Sequence, residues 1–158
     1  MYTSLIRAIL LIPWITYPGL VQVYIEFIGA LATAQTVYLP LMLSSLVAEF
    51  ADVSPASSGK CSDFHLHVHW AIQHLLNVVP SAHTLLMRTI REKFPHKSAE
   101  RREQVSYVFN LIRISAYVPH LQGDILSLCV ERVVQIDVQR LPASLIVGGN
   151  TIRIRQIR

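Results

Sequence analysis

Residues 90–138 constrain the fold most strongly, because two prolines divide them into amphipathic segments with helical spacing. Pro95 and Pro119 each end a segment, since proline lacks a backbone N–H and clashes with the preceding turn of a helix. Between and after the prolines, apolar residues recur every three to four positions, which is typical of a helix with one buried face. On the first of these helices the apolar stripe is Val105, Val108, Phe109, Ile112 and Ala116, widened by Leu111 and Ile114. On the second it is Leu121, Ile125, Leu128, Cys129, Val133 and Ile136.

Two helices joined by so short a turn pack antiparallel and bury only one side of the pair. The pattern therefore predicts more helix pairs in the rest of the chain. Pairs start near Gly19, Ser62 and Ser98, at steps of 43 and 36 residues, and this spacing suits HEAT-like repeats of roughly 40 residues. We predict an all-α fold over residues 1–140, a HEAT-like helical repeat solenoid of about three antiparallel helix pairs.

Residues 62–79 fit two patterns. Apolar residues alternate with histidines from Phe64 to Trp70, as in a strand, but a helical stripe extends further along the same segment. That stripe is Val68, Ala71, Ile72, Leu75 and Val79. The longer pattern favours a helix, and a second helix is predicted over residues 82–94. Three serines precede predicted helices and are candidate N-caps, namely Ser62, Ser81 and Ser98.

The charge is unevenly distributed along the chain. Residues 1–90 carry three basic and four acidic groups, whereas residues 91–158 carry eleven basic and six acidic groups. A basic half suits a polyanion or an acidic protein surface. Lys97, Arg101 and Arg102 form a candidate basic contact, because cations at a helix start oppose the helix dipole and this cost suggests binding. An ordinary solvated turn is the alternative.

The C-terminal residues 141–158 form a separate basic tail. Apolar and basic side chains alternate there after a Gly-Gly-Asn turn signal. This pattern predicts an extended arm or a short β-hairpin.

A membrane-spanning helix is one alternative for part of this chain. The composition is 52% hydrophobic and only 15% charged, against about 25% charged residues in globular proteins. Residues 27–48 contain no charged residue and are long enough to cross a bilayer. Gln35, Thr36 and Pro40 lie together in the middle, where lipid would leave polar groups unsatisfied. We therefore favour two helices and a loop, and keep a transmembrane fragment as an alternative.

A histidine-rich metal-binding module is the other alternative. Its candidate ligands are Cys61, His65, His67, His69 and His74. On a helix, His65 and His69 share one face, as two metal ligands would. A zinc site usually needs three or four ligands, so a polar helix face that uses histidine is the plainer interpretation and no metal or other cofactor is expected. Common nucleophile and nucleotide-binding motifs are absent from the sequence, so we predict a protein that is not an enzyme.

Several segments, taken in their order along the chain, resemble one protein family. They are the runs LIRAILLIPW and YIEFIGALATAQTVYLPLMLSSLVAEF, then EKFP, NLIRIS and DILSLCVERVVQIDV. Together they resemble the TIF-IA-type RNA polymerase I transcription initiation factors over residues 5–138. Members of that family are several times longer than this chain, and they tend to carry a longer acidic insertion near residues 51–60.

The resemblance implies a function in the nucleus and nucleolus. A family member bridges RNA polymerase I to promoter-bound core factors at ribosomal RNA genes. No direct nucleic-acid motif and no membrane partner are expected, and a homodimer is left open as a further partner.

The resemblance also implies a regulatory surface. A serine at the helix start that matches Ser81 belongs, in the family, to a serine-rich surface that faces the polymerase. Ser44 and Ser45, on the neighbouring repeat, are expected to extend this surface. A phosphate there would add about −1.5 to −2 charges and repel an acidic partner. The plainer interpretation of Ser81 is a helix cap.

Overall fold

The computed structural model describes residues 3–52 and 61–140, and these residues are helical with short connections. The α-helices are α1 (Thr3–Leu10), α2 (Pro18–Ala34), α3 (Leu39–Ala48), α4 (Cys61–Val78), α5 (Ala82–Lys93), α6 (Arg101–Tyr117) and α7 (Gln122–Arg140). Short 3-10 turns lie at Trp14–Thr16, Thr36–Tyr38, Glu49–Ala51 and Pro119–Leu121. No strand occurs in the described residues, so the all-α prediction is confirmed there. The predicted tail at residues 141–158 lies outside them.

Prolines set several of the helix boundaries. Pro18 opens α2 and Pro40 lies in the first turn of α3, where a missing N–H costs no helical hydrogen bond. Pro95 follows the end of α5 and Pro119 opens the turn before α7. The choice of a helix for residues 62–79 is confirmed by α4. The predicted cap Ser62 is wrong, because it lies inside α4 rather than before it.

The start of α6 differs from the prediction. Ser98 was the expected cap, but α6 begins at Arg101 and its N-cap residue is Glu100. Ser98 instead lies in the preceding turn, where its hydroxyl oxygen is 2.8 Å from His96 Nδ1. The side-chain amide of Gln104 donates to three carbonyls of this turn, those of His96, Lys97 and Ala99, at 3.2, 3.3 and 3.4 Å. These bonds stabilise the turn in a non-helical conformation, so that α6 begins only at Arg101.

Helices that are two apart in the chain lie side by side. α2 packs against α4, and α3 packs against α5. α4 also contacts α6, α5 contacts α7, and α6 packs on the turn Glu49–Ala51. One continuous hydrophobic core results, with its largest fully buried side chains on α2 to α6 and the turn after α3.

The buried face of α6 is not the predicted one. Val105, Phe109 and Ile112 are largely exposed, and Phe109 retains 61% of its accessible surface. The buried side chains of α6 are Gln104, Tyr107, Asn110, Leu111 and Ile114. This face looks too polar for a core in the sequence, but its Tyr and Asn groups find hydrogen-bond partners inside the protein. A satisfied polar group loses most of its burial penalty, so this face can be buried.

The predicted face of α7 is confirmed for its first half. Leu121, Ile125, Leu128 and Cys129 are buried, whereas Val133 is 47% exposed. α7 therefore buries its N-terminal half against the rest of the protein.

α2 and α4 approach each other closely at Gly29. The imidazole of His74 occupies the space that a side chain at Gly29 would need. A glycine in the middle of a helix reduces helix stability, so its use here is explained by this contact.

Candidate functional site

Ser81 occupies the N-cap position of α5, as predicted, and its side chain is exposed. Its hydroxyl makes no capping hydrogen bond to the helix. The plain capping role is therefore weaker than expected, and the hydroxyl is left accessible at the surface.

Ser44 and Ser45 lie in α3 and are half-buried. The Ser45 hydroxyl is 3.5 Å from the carbonyl oxygen of Leu10, at the limit of a weak hydrogen bond. α3 packs against α5, so the helices that carry the three predicted serines are direct neighbours. The closer grouping of the serines into one surface remains a prediction.

Lys97, Arg101 and Arg102 are all exposed at the start of α6. Their side chains form no ion pair with another described residue, in contrast to Arg88, whose Nε lies 2.8 Å from Glu92 Oε1. The predicted basic contact is therefore available to a partner.

His69 is buried, and both nitrogens of its ring are hydrogen-bonded. Nδ1 lies 2.9 Å from the Tyr117 hydroxyl, and Nε2 lies 3.1 Å from Asn110 Oδ1. Because the amide oxygen can only accept, Nε2 carries the proton and the tyrosine hydroxyl donates to Nδ1. The other end of the Asn110 amide donates to the Ser106 carbonyl at 2.9 Å, which fixes the amide orientation.

Burial sets the protonation of this network. Desolvation lowers the pKa of His69 to about 4, although the hydrogen bond that His69 donates to the Asn110 amide oxygen favours the charged form. Desolvation likewise raises the pKa of Tyr117 and Tyr107 well above the usual tyrosine value. His69 is therefore neutral at physiological pH.

The metal alternative finds no support in the described residues. No group of three or more His, Cys, Asp or Glu side chains comes together there in a way that could hold an ion. His69 uses both nitrogens within the protein, and desolvation lowers the pKa of His65, which is also influenced by a hydrogen bond with the backbone at Glu49. The side chain of Cys61 is outside the described part. Both histidines are buried side chains of α4.

A row of aromatic contacts runs through the core and was not predicted from the sequence. Phe50 stacks on His69 at 5.1 Å between ring centroids and meets the edge of Tyr107 at 6.0 Å. Tyr107 in turn meets Phe94 at 5.1 Å, and its hydroxyl donates to the Ile90 carbonyl at 2.9 Å. The rings come from four separate segments, so no local spacing in the sequence could have grouped them.

A groove between α5 and α7 was also missed. It has a volume of about 570 Å³, and its lining includes the rings of His83 and His120, which lie 4.7 Å apart between centroids and are inclined by 55°. Arg91 and Asp124 also line it, so its charge is mixed. The residues are about 40 positions apart in the chain, which is why periodicity gives no signal of it.

The uncharged stretch at residues 27–48 is broken in the structure. Among the described residues, no single helix is long and apolar enough to cross a bilayer. The pair Pro18–Ala34 and Thr36–Ala51 has the required length and composition only when taken together, and it is bent by 118°.

These observations define the class as an all-α protein with buried polar groups that hold helices together and with serine and cationic side chains exposed at helix starts. The family model described as RNA polymerase I specific transcription initiation factor RRN3 matches residues 1–148. The chain belongs to this family, which confirms the resemblance seen in its sequence.

Three relatives illustrate the match. The chain is 33% identical over 138 residues to the RNA polymerase I-specific transcription initiation factor rrn3 of Schizosaccharomyces pombe, covering 87% of this chain and 22% of the relative. It is 34% identical over 158 residues to RRN3 of Mus musculus, and the match covers 87% of this chain and 23% of the relative. It is 27% identical over 126 residues to RRN3 of Saccharomyces cerevisiae, and the match covers 80% of this chain and 19% of the relative. No solved structure matches the chain significantly.

The chain thus spans less than a quarter of the length of these relatives. All three relatives are named as RNA polymerase I-specific transcription initiation factors. The transmembrane and metal-binding alternatives receive no support from them.

Proposed function

We propose that this chain is a helical module of an RNA polymerase I initiation factor. The single observation that carries the proposal is the family match over residues 1–148. By analogy with its relatives, the module would help bridge the polymerase to promoter-bound core factors at ribosomal RNA genes, in the nucleolus of the nucleus. A homodimer stays a prediction beside this function.

The proposed architecture is a HEAT-like solenoid over residues 1–140. It is supported by the contacts between helices two apart in the chain, α2 with α4, α3 with α5, α4 with α6 and α5 with α7. Stacked helix pairs produce this contact pattern, because each repeat touches only its neighbours.

The proposed polymerase-facing surface contains Ser81, Ser44 and Ser45. Ser81 is the best candidate for regulation, since its hydroxyl is exposed and takes no part in capping α5. A phosphate at this helix start would be tolerated by the helix dipole and would still repel an acidic partner.

Replacement of Ser81 by aspartate tests this proposal. We expect Ser81→Asp to weaken the pull-down of RNA polymerase I while the melting temperature stays close to that of the parent. Ser81→Ala should keep the interaction and cost less than the roughly 1 kcal/mol that a lost capping bond costs, because no such bond is present.

The matched control is Gln73→Glu, which adds one negative charge at an exposed position of α4. The variants are to be compared in this chain and at the matching positions of the full-length mouse relative. Equal polymerase binding by Ser81→Asp and the parent would place the interface elsewhere. Equal weakening by Gln73→Glu would show a general charge effect instead of a serine surface.

A further inference from the structure

Two histidines from separate segments meet in the groove between α5 and α7. His83 lies in the first turn of α5 and is half-buried, whereas His120 lies in the turn Pro119–Leu121 and is exposed. Their ring centroids are 4.7 Å apart and the ring planes are inclined by 55°, so the rings do not stack face to face. The fold therefore brings together two imidazoles, which are the commonest metal ligands in proteins.

A hydrogen bond fixes the tautomer of His83. Its Nδ1 lies 3.1 Å from the carbonyl oxygen of Pro80, and because a carbonyl oxygen can only accept, Nδ1 carries the proton of the neutral ring. Nε2 then has a free lone pair. Histidines that bind metals typically donate one ring N–H to a backbone carbonyl or a carboxylate in this way and bind the ion with the other nitrogen.

The separation of the two rings fits a shared ion. With a zinc–nitrogen bond of about 2.1 Å and the ring centre about 1.1 Å further on, each ring centroid lies about 3.2 Å from the ion. For bond angles of about 90° to 110° at the ion, the two centroids are then about 4.5–5.2 Å apart. The observed 4.7 Å lies in this range, so the two segments already have the spacing that one ion requires.

The groove has room for an ion and no excess of fixed charge. Its volume of about 570 Å³ leaves space for water molecules on the ion. Two arginines and two carboxylates line it, namely Arg88, Arg91, Glu92 and Asp124, and Arg88 is paired with Glu92. The fixed charges of the lining therefore cancel, and a divalent cation is not repelled by a net positive charge.

The groove also lies away from the side of α7 on which a further repeat would pack. Leu121 and Asp124 line the groove, whereas Leu126 and Val133 are exposed apolar side chains of the same helix. At 3.6 residues per turn, Leu126 and Val133 lie on the opposite side of α7 from Asp124. Both walls of the groove are helices that already contact each other, so it stays open to solvent in a longer array.

We propose that His83 and His120 bind one Zn²⁺ between them, His83 through Nε2, with water completing the coordination. Imidazole nitrogen suits Zn²⁺, whereas Mg²⁺ prefers oxygen ligands, so the pair selects zinc over magnesium. No third His, Cys, Asp or Glu side chain of the described residues is grouped with the pair, so the ion keeps open positions and exchanges with solvent. The pair is separate from the histidines of α4 and does not depend on the proposed serine surface.

Titration of the 158-residue chain with ZnCl₂ tests the proposal. The side-chain NMR signals of His83 and His120 should shift along one common curve that saturates at one ion for the pair. His83→Gln and His120→Gln identify these signals, and each variant should weaken the zinc affinity of this site at least about tenfold. MgCl₂ at the same concentration should leave both signals in place.

His96→Gln is the matched control, because it removes an exposed histidine that does not line the groove. Zinc should raise the melting temperature of the parent and of His96→Gln equally, since an ion that binds only the folded chain stabilises it. The rise should be smaller for His120→Gln. Without zinc, His120→Gln should melt like the parent, because His120 is exposed, so its zinc response is not obscured by a loss of folding.

Three results would overturn the proposal. Parent-like zinc affinity in either His83→Gln or His120→Gln would show that the two rings do not share an ion. An equal response to magnesium and zinc would show unspecific cation binding. Loss of the zinc response in His96→Gln would place the zinc site elsewhere in the chain.

Discussion

The contact between α2 and α4 and the contact between α4 and α6 solve the same packing problem in different ways. At the first, the helices approach closely because Gly29 leaves room for the ring of His74. At the second, His69 and Asn110 are buried together and hydrogen-bonded across the contact. The first contact depends on shape and the second on matched polar groups. α4 therefore packs on α2 through close steric fit and on α6 through buried hydrogen bonds.

The largest effect is expected at the α4–α6 contact, from Phe50→Ala. Phe50 is fully buried and touches both His69 and Tyr107, so its loss leaves a cavity next to the polar network. We expect a loss of about 3–5 kcal/mol in the free energy of unfolding. Urea denaturation of the variant and the parent measures it.

Phe109→Ala is the matched control, because it removes the same ring from an exposed position on the neighbouring helix. Its effect should stay within about 0.5 kcal/mol. A large effect of Phe109→Ala, or a small one of Phe50→Ala, would mean that the buried face of α6 is assigned wrongly.

A smaller effect is expected from pH at the same contact. The pKa of His69 is lowered to about 4, mainly by desolvation, with His65 and Arg113 also disfavouring its charge. When the pH falls below about 6.5, the unfolded chain binds a proton at this residue and the folded chain does not. The contribution of neutral His69 to the free energy of unfolding should therefore be fully present above pH 6.5. It should fall by about 2–3 kcal/mol toward pH 4, where His69 in the folded state also begins to bind a proton.

His69→Gln removes this titration, so its stability should change less between pH 7 and pH 4.5 than that of the parent. His120→Gln, at an exposed position, should keep the parent's pH dependence. The free energy of unfolding is measured by urea denaturation at the two pH values. An equal change for the parent and His69→Gln would refute the assignment of this pH dependence to His69.

The smallest effect is expected at the α2–α4 contact, from Gly29→Ala. Alanine improves helix propensity by up to about 1 kcal/mol, but its methyl group overlaps the His74 ring. We expect a net destabilisation of about 1–2 kcal/mol, as is typical of overpacking.

The sign of this effect should depend on His74. In a His74→Ala background the overlap is gone, and Gly29→Ala should then stabilise the protein by about 0.5–1 kcal/mol. A double-mutant cycle measured by thermal unfolding gives the coupling. If Gly29→Ala had the same sign in both backgrounds, the close approach of the two helices would not explain the glycine.

The same contrast explains which features could be predicted from the sequence. The helix over residues 62–79 was predictable because its apolar stripe continues through Val68, Ile72 and Leu75, all of which are buried. The buried face of α6 was not, because Phe109 looks like a core residue and Asn110 does not. Choosing between them needs the partner, and His69 is 41 positions away in the chain.

The candidate surfaces were predictable to the extent that they are local. Exposure of Lys97, Arg101 and Arg102 follows from their position at a helix start, and Ser81 lies at the predicted N-cap position. The missing capping bond of Ser81 and the groove between His83 and His120 depend on the relative placement of helices. Residue spacing carries no information about that placement.

The hydrogen bonds of His69 also fix how α4 and α6 can be aligned along their lengths. An apolar contact tolerates a shift of one helix turn, since one aliphatic side chain can replace another at small cost. Here the ring must find an acceptor on one side and a donor on the other, one at Asn110 and one at Tyr117. A shift by one turn, about 5.4 Å, would leave both buried ring nitrogens without partners. The histidine therefore selects a single register for the last helix pair, and with it the position of every residue that α6 and α7 present to solvent.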